Sequence, residues 1–133
     1  MSKLSSVVSC LIVVAIVAQL EVALGGDDAA QASRIAVQTD LFNLATKAQQ
    51  FYFRPATKGG GQGSFVLLTA DAAGFAKLTS KPTNSNGTYW ILTAGTWTSV
   101  VLHGQGTEKG ADGNYLSVDM TVFADSTSVV FHN

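Results

Sequence analysis

The chain holds a single cysteine, Cys10, so no disulfide can close within it. Charge is scarce: 13% of the residues are Asp, Glu, Lys or Arg, and the net charge is −1. The lysines and arginines are scattered with no basic patch, which excludes the electrostatic footprint of nucleic-acid binding. Proline occurs only at Pro55 and Pro82, so few helix stops are built in. The two histidines, His103 and His132, match no metal-ligand spacing, so no metal is expected.

Apolar residues make up 47% of the chain, and many of them sit in one run, Val7–Leu24, VVSCLIVVAIVAQLEVAL. At about 1.5 Å of rise per residue this run spans roughly 27 Å as a helix, close to the hydrocarbon thickness of a bilayer. Within residues 1–26 only Lys3 and Glu21 are charged. The remainder is long enough for one small domain with one core.

Three readings of the N-terminus compete. A cleaved secretory signal has its n-region in Lys3, but the apolar run is long for an h-region and no clean A-x-A site follows. A lipoprotein signal has Val7-Val8-Ser9-Cys10, but here the apolar stretch follows the cysteine instead of preceding it. A retained helix that spans the membrane fits best. Lys3 on one side and Asp27-Asp28 on the other place the N-terminus in the cytoplasm and the rest outside.

Gly25-Gly26 interrupts the run, each glycine lowering helix stability by roughly 1 kcal/mol relative to alanine. Asp27-Asp28 then offers an N-cap for a second helical stretch, 27–54. Val37, Leu41, Leu44, Ala48 and Phe51 share one face of it, and Pro55 ends it. A connection, 55–87, follows. Its Gly59–Gly63 segment reads as flexible, Ser64–Leu68 as a short strand and Asp71–Leu78 as a helical turn or a single short helix.

From Thr88 the period changes to two. Strands are expected at Thr88–Thr93, Thr96–Gly104, Asn114–Ala124 and Thr127–Phe131. A two-residue turn at Ala94-Gly95 and a polar loop at Thr107–Gly113 are expected to join them. The sequence thus predicts an α+β chain in two parts: the hydrophobic helix 1–26, and a head, 27–133, whose helix covers an antiparallel sheet over 88–131.

That order of parts resembles type IV pilin-like proteins, the subunits of pili and of secretion pseudopili. The likeness covers essentially the whole chain. It rests on VVSCLIVVAIVAQLEVALGG, on the helix SRIAVQTDLFNLATKAQQFYFRP, on the loop GGGQGSFVLLTADAAG and on the terminal meander. The resemblance implies a structural subunit of an extracellular helical filament, without catalysis or cofactor. Its partners would be copies of itself, the assembly machinery and, before assembly, the inner membrane. Val7, Leu11, Ile12, Val14, Ala15, Ala18, Glu21 and Val22 would form the filament core, with Gly25 and Gly26 where the family helix loses regularity. Val37, Leu41, Leu44, Ala48 and Phe51 would hold the head together. Family members carry a leader ending in Gly and a glutamate at the fifth mature position. No such Gly precedes the run here, Ser5 is fifth from Met1, and the C-terminal disulfide of many pilins is absent. A pseudopilin and a monomeric membrane-tethered binding domain are the alternatives.

Several residues invite other chemistry. Glu21 either pairs with a neighbour's Lys3 or N-terminus and fixes register in a filament, or snorkels to the membrane interface. His103 and His132 with Asp119 or Asp125 suggest acid–base or metal chemistry, but His132 is penultimate and expected to fray. Gly59–Ser64 lacks the lysine of a phosphate loop. Asp112-Gly113-Asn114 is a calcium-loop fragment or, more simply, a hairpin turn. Phe42, Phe51, Tyr52 and Phe53 read as an aromatic seam under the sheet rather than an electron path. Asn86-Gly87-Thr88 matches a glycosylation acceptor.

Overall fold

The computed structural model describes residues 28–132. Val7, Leu11, Ile12, Val14, Ala15, Ala18, Glu21, Val22, Gly25, Gly26 and Asp27 lie outside the described residues. Among the described residues no helix is long and apolar enough to cross a membrane.

The fold is α+β. Helix α1 spans Asp28–Phe53. Asp28 is itself helical, in the first turn, where a carboxylate meets the positive end of the helix dipole. The buried side chains of α1 are Ala30, Val37, Leu41, Leu44, Ala45, Ala48 and Phe51. They lie against a five-stranded antiparallel sheet in simple meander order. Its strands are β1 (Thr83–Asn84), β2 (Gly87–Thr93), β3 (Ser99–Lys109), β4 (Tyr115–Phe123) and β5 (Thr127–His132).

Alternation along β3 and β4 decides which side meets the helix. Val100, Leu102, Leu116, Val118, Met120 and Val122 point inward and are buried. His103, Ser117, Asp119 and Thr121 fall on the opposite, outer face. The helix can approach β3 closely because Gly104 has no side chain. A Cβ there would stand 2.7 Å from Val37 Cγ1 and 2.8 Å from Tyr89 Cε1. The opposite end of α1 is tied by Gln49, whose amide donates to the carbonyl of Phe123 at 2.9 Å.

The glycine-rich segment after α1 is not a flexible connection. It folds back and satisfies the carbonyls that any helix leaves open at its C-terminus. Gly61 N donates to Phe51 O at 2.8 Å, Gly63 N to Tyr52 O at 2.6 Å and Gln62 N to Arg54 O at 3.0 Å. Gly59 and Gly63 adopt positive φ, 81° and 86°. Gly61 is needed for space, since a Cβ would lie 2.0 Å from Ser64 O.

Ser64–Leu68 is not a strand but a turn closed by Leu68 N donating to Phe65 O at 2.8 Å, and it sinks Phe65 and Leu68 into the core. Helix α2, Ala72–Phe75, follows, capped by the Asp71 carboxylate on Gly74 N at 2.7 Å. The link between β2 and β3 is longer than two residues because it holds the Phe65–Leu68 turn. Phe65 N donates to Thr96 O at 2.9 Å and Gly95 N to Leu68 O at 2.8 Å. Strand β3 runs on to Lys109, so the polar loop shrinks to a turn around Gly110–Asn114. Strand β5 reaches His132, and a short β1 precedes the expected first strand.

Candidate functional site

The outer face of the sheet has no covering layer among the described residues. One cross-strand row on it runs Trp90, His103, Asp119, Val130. His103 Nδ1 meets one oxygen of the Asp119 carboxylate, and His132 Nε2 meets the other at 2.8 Å. The Trp90 ring lies over His103, with centroids 4.4 Å apart and planes tilted by 34°. A carboxylate accepts, so each ring nitrogen facing it donates. His103 is thereby held with its proton on Nδ1 and His132 with its proton on Nε2. His132 is not frayed: it pairs with Ser117 in the ladder, and its ring fastens the end of β5 to the sheet.

The histidines and Asp119 are therefore brought together, while Asp125 is left out, in the turn between β4 and β5. The chemistry available to the group is limited. No hydroxyl or thiol is hydrogen-bonded to either imidazole among the described residues, so no activated nucleophile is in place. Among them, no group of three His, Cys, Asp or Glu side chains is arranged to hold a metal ion. The arrangement works as a polar clasp.

A second polar cluster joins helix to sheet. Asp40 Oδ2 accepts from Tyr89 Oη at 2.5 Å, Asn86 Nδ2 at 3.0 Å and Asn84 Nδ2 at 3.1 Å. Burial alone raises the Asp40 pKa, but the three hydrogen bonds together outweigh it and hold the carboxyl below its ordinary value. Burial, with the Asp40 carboxylate next in importance, pushes the Tyr89 phenol far above its ordinary range. The Asn86 amide nitrogen, which a glycan would occupy, is thus engaged inside this cluster. Asp40 gave no signal in the sequence beyond a polar residue on a helix; only the return of β1 and β2 to the helix assembles the group.

The third feature is a cleft of about 350 Å³ between α2 and the edge of β2, walled by Phe75, Pro82, Tyr89, Trp90 and Ile91. Its lining is mainly apolar, and Asp71 at its margin is occupied in capping α2 through Gly74 N and Thr69 Oγ1. The backbone hydrogen bond from Gly74, with that from the Thr69 side chain, lowers the Asp71 pKa.

The remaining candidates are placed as follows. Val37, Leu41, Leu44, Ala48 and Phe51 are buried in the core. Phe42 and Tyr52 pack against it from outside, Tyr52 lying 4.8 Å from the Phe65 ring. Phe53 is 67% exposed and lies outside any seam beneath the sheet. Asp112-Gly113-Asn114 forms a turn in which Asp112 Oδ1 accepts from Asn114 N at 2.9 Å. No protein-family model matches the chain, and neither a curated protein nor a solved structure matches it.

Proposed function

We propose that the chain is the structural subunit of an extracellular type IV pilus-like helical filament, polymerising through its N-terminal hydrophobic segment. The observation that supports this most is the order of parts. The apolar run Val7–Leu24 leads by way of Gly25-Gly26 into α1, and the sheet packs along a single face of that helix. One helix thus belongs to a head that is built entirely downstream of the run.

The physical argument runs through the solvent seen by that run. In a membrane it is covered by lipid. Outside one, each Å² of exposed apolar surface costs about 25 cal/mol, so copies must cover one another. Small residues, Ala15 and Ala18 among them, permit close helix approach. Contacts between copies that do not close into a ring generate an open fibre. The head supplies the outer surface, and its clasp and clusters serve to keep a small sheet rigid.

The test is electron microscopy of material sheared from the producing cells, labelled with antibody to the head. Thin labelled fibres of uniform width are expected. They should disappear in a Val14→Asp strain whose chain is still made and whose head is still folded. Label confined to the membrane in the unaltered strain would move the assignment to a pseudopilin or a tethered binding domain. Normal fibres from the Val14→Asp strain would remove the N-terminal run from the filament core.

A further inference from the structure

Asparagine followed by glycine is a chemically fragile pair at neutral or mildly alkaline pH, because no Cβ shields the glycine amide that attacks the asparagine side chain. This chain holds the pair once, at Asn86-Gly87, where β1 turns into β2. The fold makes use of both residues. Gly87 lies so close to β3 that a Cβ there would stand 2.1 Å from Gln105 O. Asn86 supplies an amide to Asp40 Oδ2 at 3.0 Å. The hairpin therefore keeps a fragile pair that any larger residue at position 87 would remove.

The reaction of such a pair is an attack of the chain on itself. The glycine nitrogen gives up its proton to a base in the solvent and bonds to the asparagine Cγ. The bond from Cγ to Nδ2 breaks, and Nδ2 takes a proton from solvent and leaves as ammonia. The cyclic imide that remains adds water at one of its two carbonyls and opens to aspartate or to isoaspartate. Two freedoms are needed: the glycine N–H must be open to a base, and the asparagine side chain must swing back over its own main chain.

Folding removes both freedoms. Gly87 is buried, and its N–H donates to Asn84 Oδ1 at 3.2 Å. The same oxygen accepts from the main-chain N–H of Asn86 at 2.7 Å. The group that would leave, Asn86 Nδ2, is held by the Asp40 carboxylate, which also accepts from Asn84 Nδ2 at 3.1 Å. Asn84 and Asp40 thus grip the attacking and the leaving nitrogen together. Asp40 stands on α1, so the grip lasts only while the helix and the β1–β2 hairpin stay in contact.

We propose that Asn86 is a latent deamidation site, kept intact by the grip of Asp40 and Asn84 and converted to an acid once the helix and the hairpin part. The change is one-way. A carboxylate at position 86 faces the Asp40 carboxylate, so like charges repel where an amide had donated. An isoaspartate also adds a carbon to the main chain just before Gly87, against the pairing of Gly87 with Gly106. A head that has stayed open is thereby marked and does not regain the grip. Nothing in this chemistry depends on filament formation.

The test follows the full chain in mild detergent at mildly alkaline pH, by mass spectrometry of the peptide that carries Asn86 and by enzymatic methylation of its isoaspartate. Deamidation at Asn86 should run at least about ten-fold slower in the unaltered chain than in the same chain unfolded in urea. Asp40→Ala frees the leaving group, and Asn84→Ala frees the Gly87 N–H at an exposed position that leaves the core untouched. Each should speed the reaction about ten-fold over the unaltered chain. Val122→Ala loosens the core at the far end of the sheet, and the reaction should stay slow in it even at a urea midpoint as low as that of Asp40→Ala. Equal rates in the folded and the urea-unfolded chain, or no acceleration in either Asp40→Ala or Asn84→Ala, would overturn the proposal. Rates that simply follow the urea midpoint across the three variants would overturn it too, since general opening and not the grip would then govern Asn86. The Asn86→Asp chain should have a lower midpoint than the unaltered chain, and an unchanged one would refute the one-way step.

Discussion

The Tyr89 hydroxyl donates to Asp40 Oδ2 at 2.5 Å, joining the middle of the helix to the second strand. Tyr89 is only 3% exposed, so its hydroxyl cannot turn to water if the carboxylate is removed. Asp40→Ala strands this buried hydroxyl and also removes the acceptor of the half-buried Asn86 amide and the exposed Asn84 amide, and should cost about 2–3 kcal/mol. Tyr89→Phe leaves Asp40 with both amides and should cost about 1 kcal/mol. Urea unfolding of the full chain in mild detergent, followed by tryptophan fluorescence, should rank the two variants in that order. The reverse order would assign the stabilisation to the ring and not to the carboxylate.

The same pair contributes to the pH dependence of the head at both extremes. The Asp40 pKa is lowered in the folded state, so its contribution is present above the ordinary 3.8 and fades as pH falls through the lower folded value. The Tyr89 pKa is raised, so its contribution is present below the ordinary 10.0 and fades as pH climbs beyond it. Plotted against pH, the stability of Tyr89→Phe should lack part of the alkaline decline, and that of Asp40→Ala part of the acid decline. Declines that match the unaltered chain at both ends would refute the linkage.

Gly61 and Gly59 separate crowding from backbone strain. Gly61→Ala forces a Cβ to within 2.0 Å of Ser64 O and 2.9 Å of Phe51 Cε2, both fixed parts of the helix cap. It should cost more than about 3 kcal/mol, the range of overpacked and strained sites. Gly59→Ala meets nothing within 4 Å and only has to hold a φ of 81°, for about 1 kcal/mol. Thermal unfolding of both variants distinguishes the two effects. Equal losses would mean that the loop yields and does not cap the helix.

Local pattern made α1 and the strands legible, because a buried face writes itself into sequence as period. Val37, Leu41, Leu44, Ala48 and Phe51 share one helical face, while Leu116, Val118, Met120 and Val122 alternate on β4. What stayed hidden depends on where distant segments meet. GGGQG looks like any loosely ordered loop until its amides are counted against the open carbonyls of Phe51, Tyr52 and Arg54. Phe65 and Leu68 have the composition of a strand, yet their main chain closes a turn against Gly95 and Thr96. His103 and His132 stand out in the sequence as residues, but their meeting depends on the register of two ladders, with Asp119 lying across from His103 and diagonal to His132. Asp40 could be read only as a polar position, since its partners come from Asn84, Asn86 and Tyr89.

Asp119 is the hinge of the outer face. Asp119→Ala removes the acceptor of both rings but leaves the core side of β4 untouched. The His132 ring is half exposed and loses an anchor, whereas the His103 ring is only 15% exposed and loses the acceptor of its Nδ1–H. The global loss should therefore be about 1–2 kcal/mol. The local effect should be larger: amide exchange over Val130–His132 should accelerate, while exchange in β3 stays slow. Unchanged exchange at the end of β5 would show that the ladder alone holds the strand.

Ser33 gives a prediction of the opposite sign. Its Oγ is buried with no hydrogen-bond partner among the described residues, in the part of α1 that faces Gly106. A buried hydroxyl without a partner costs desolvation and returns nothing, and serine is also a weaker helix former than alanine. Ser33→Ala removes one oxygen from a tight place and introduces no new contact. It should raise stability by about 0.5–1 kcal/mol, read as a higher urea midpoint with an unchanged slope. A lower midpoint would mean that the hydroxyl is bonded in solution, and the close approach of helix and β3 would then rest on that bond as well as on the missing side chain of Gly106.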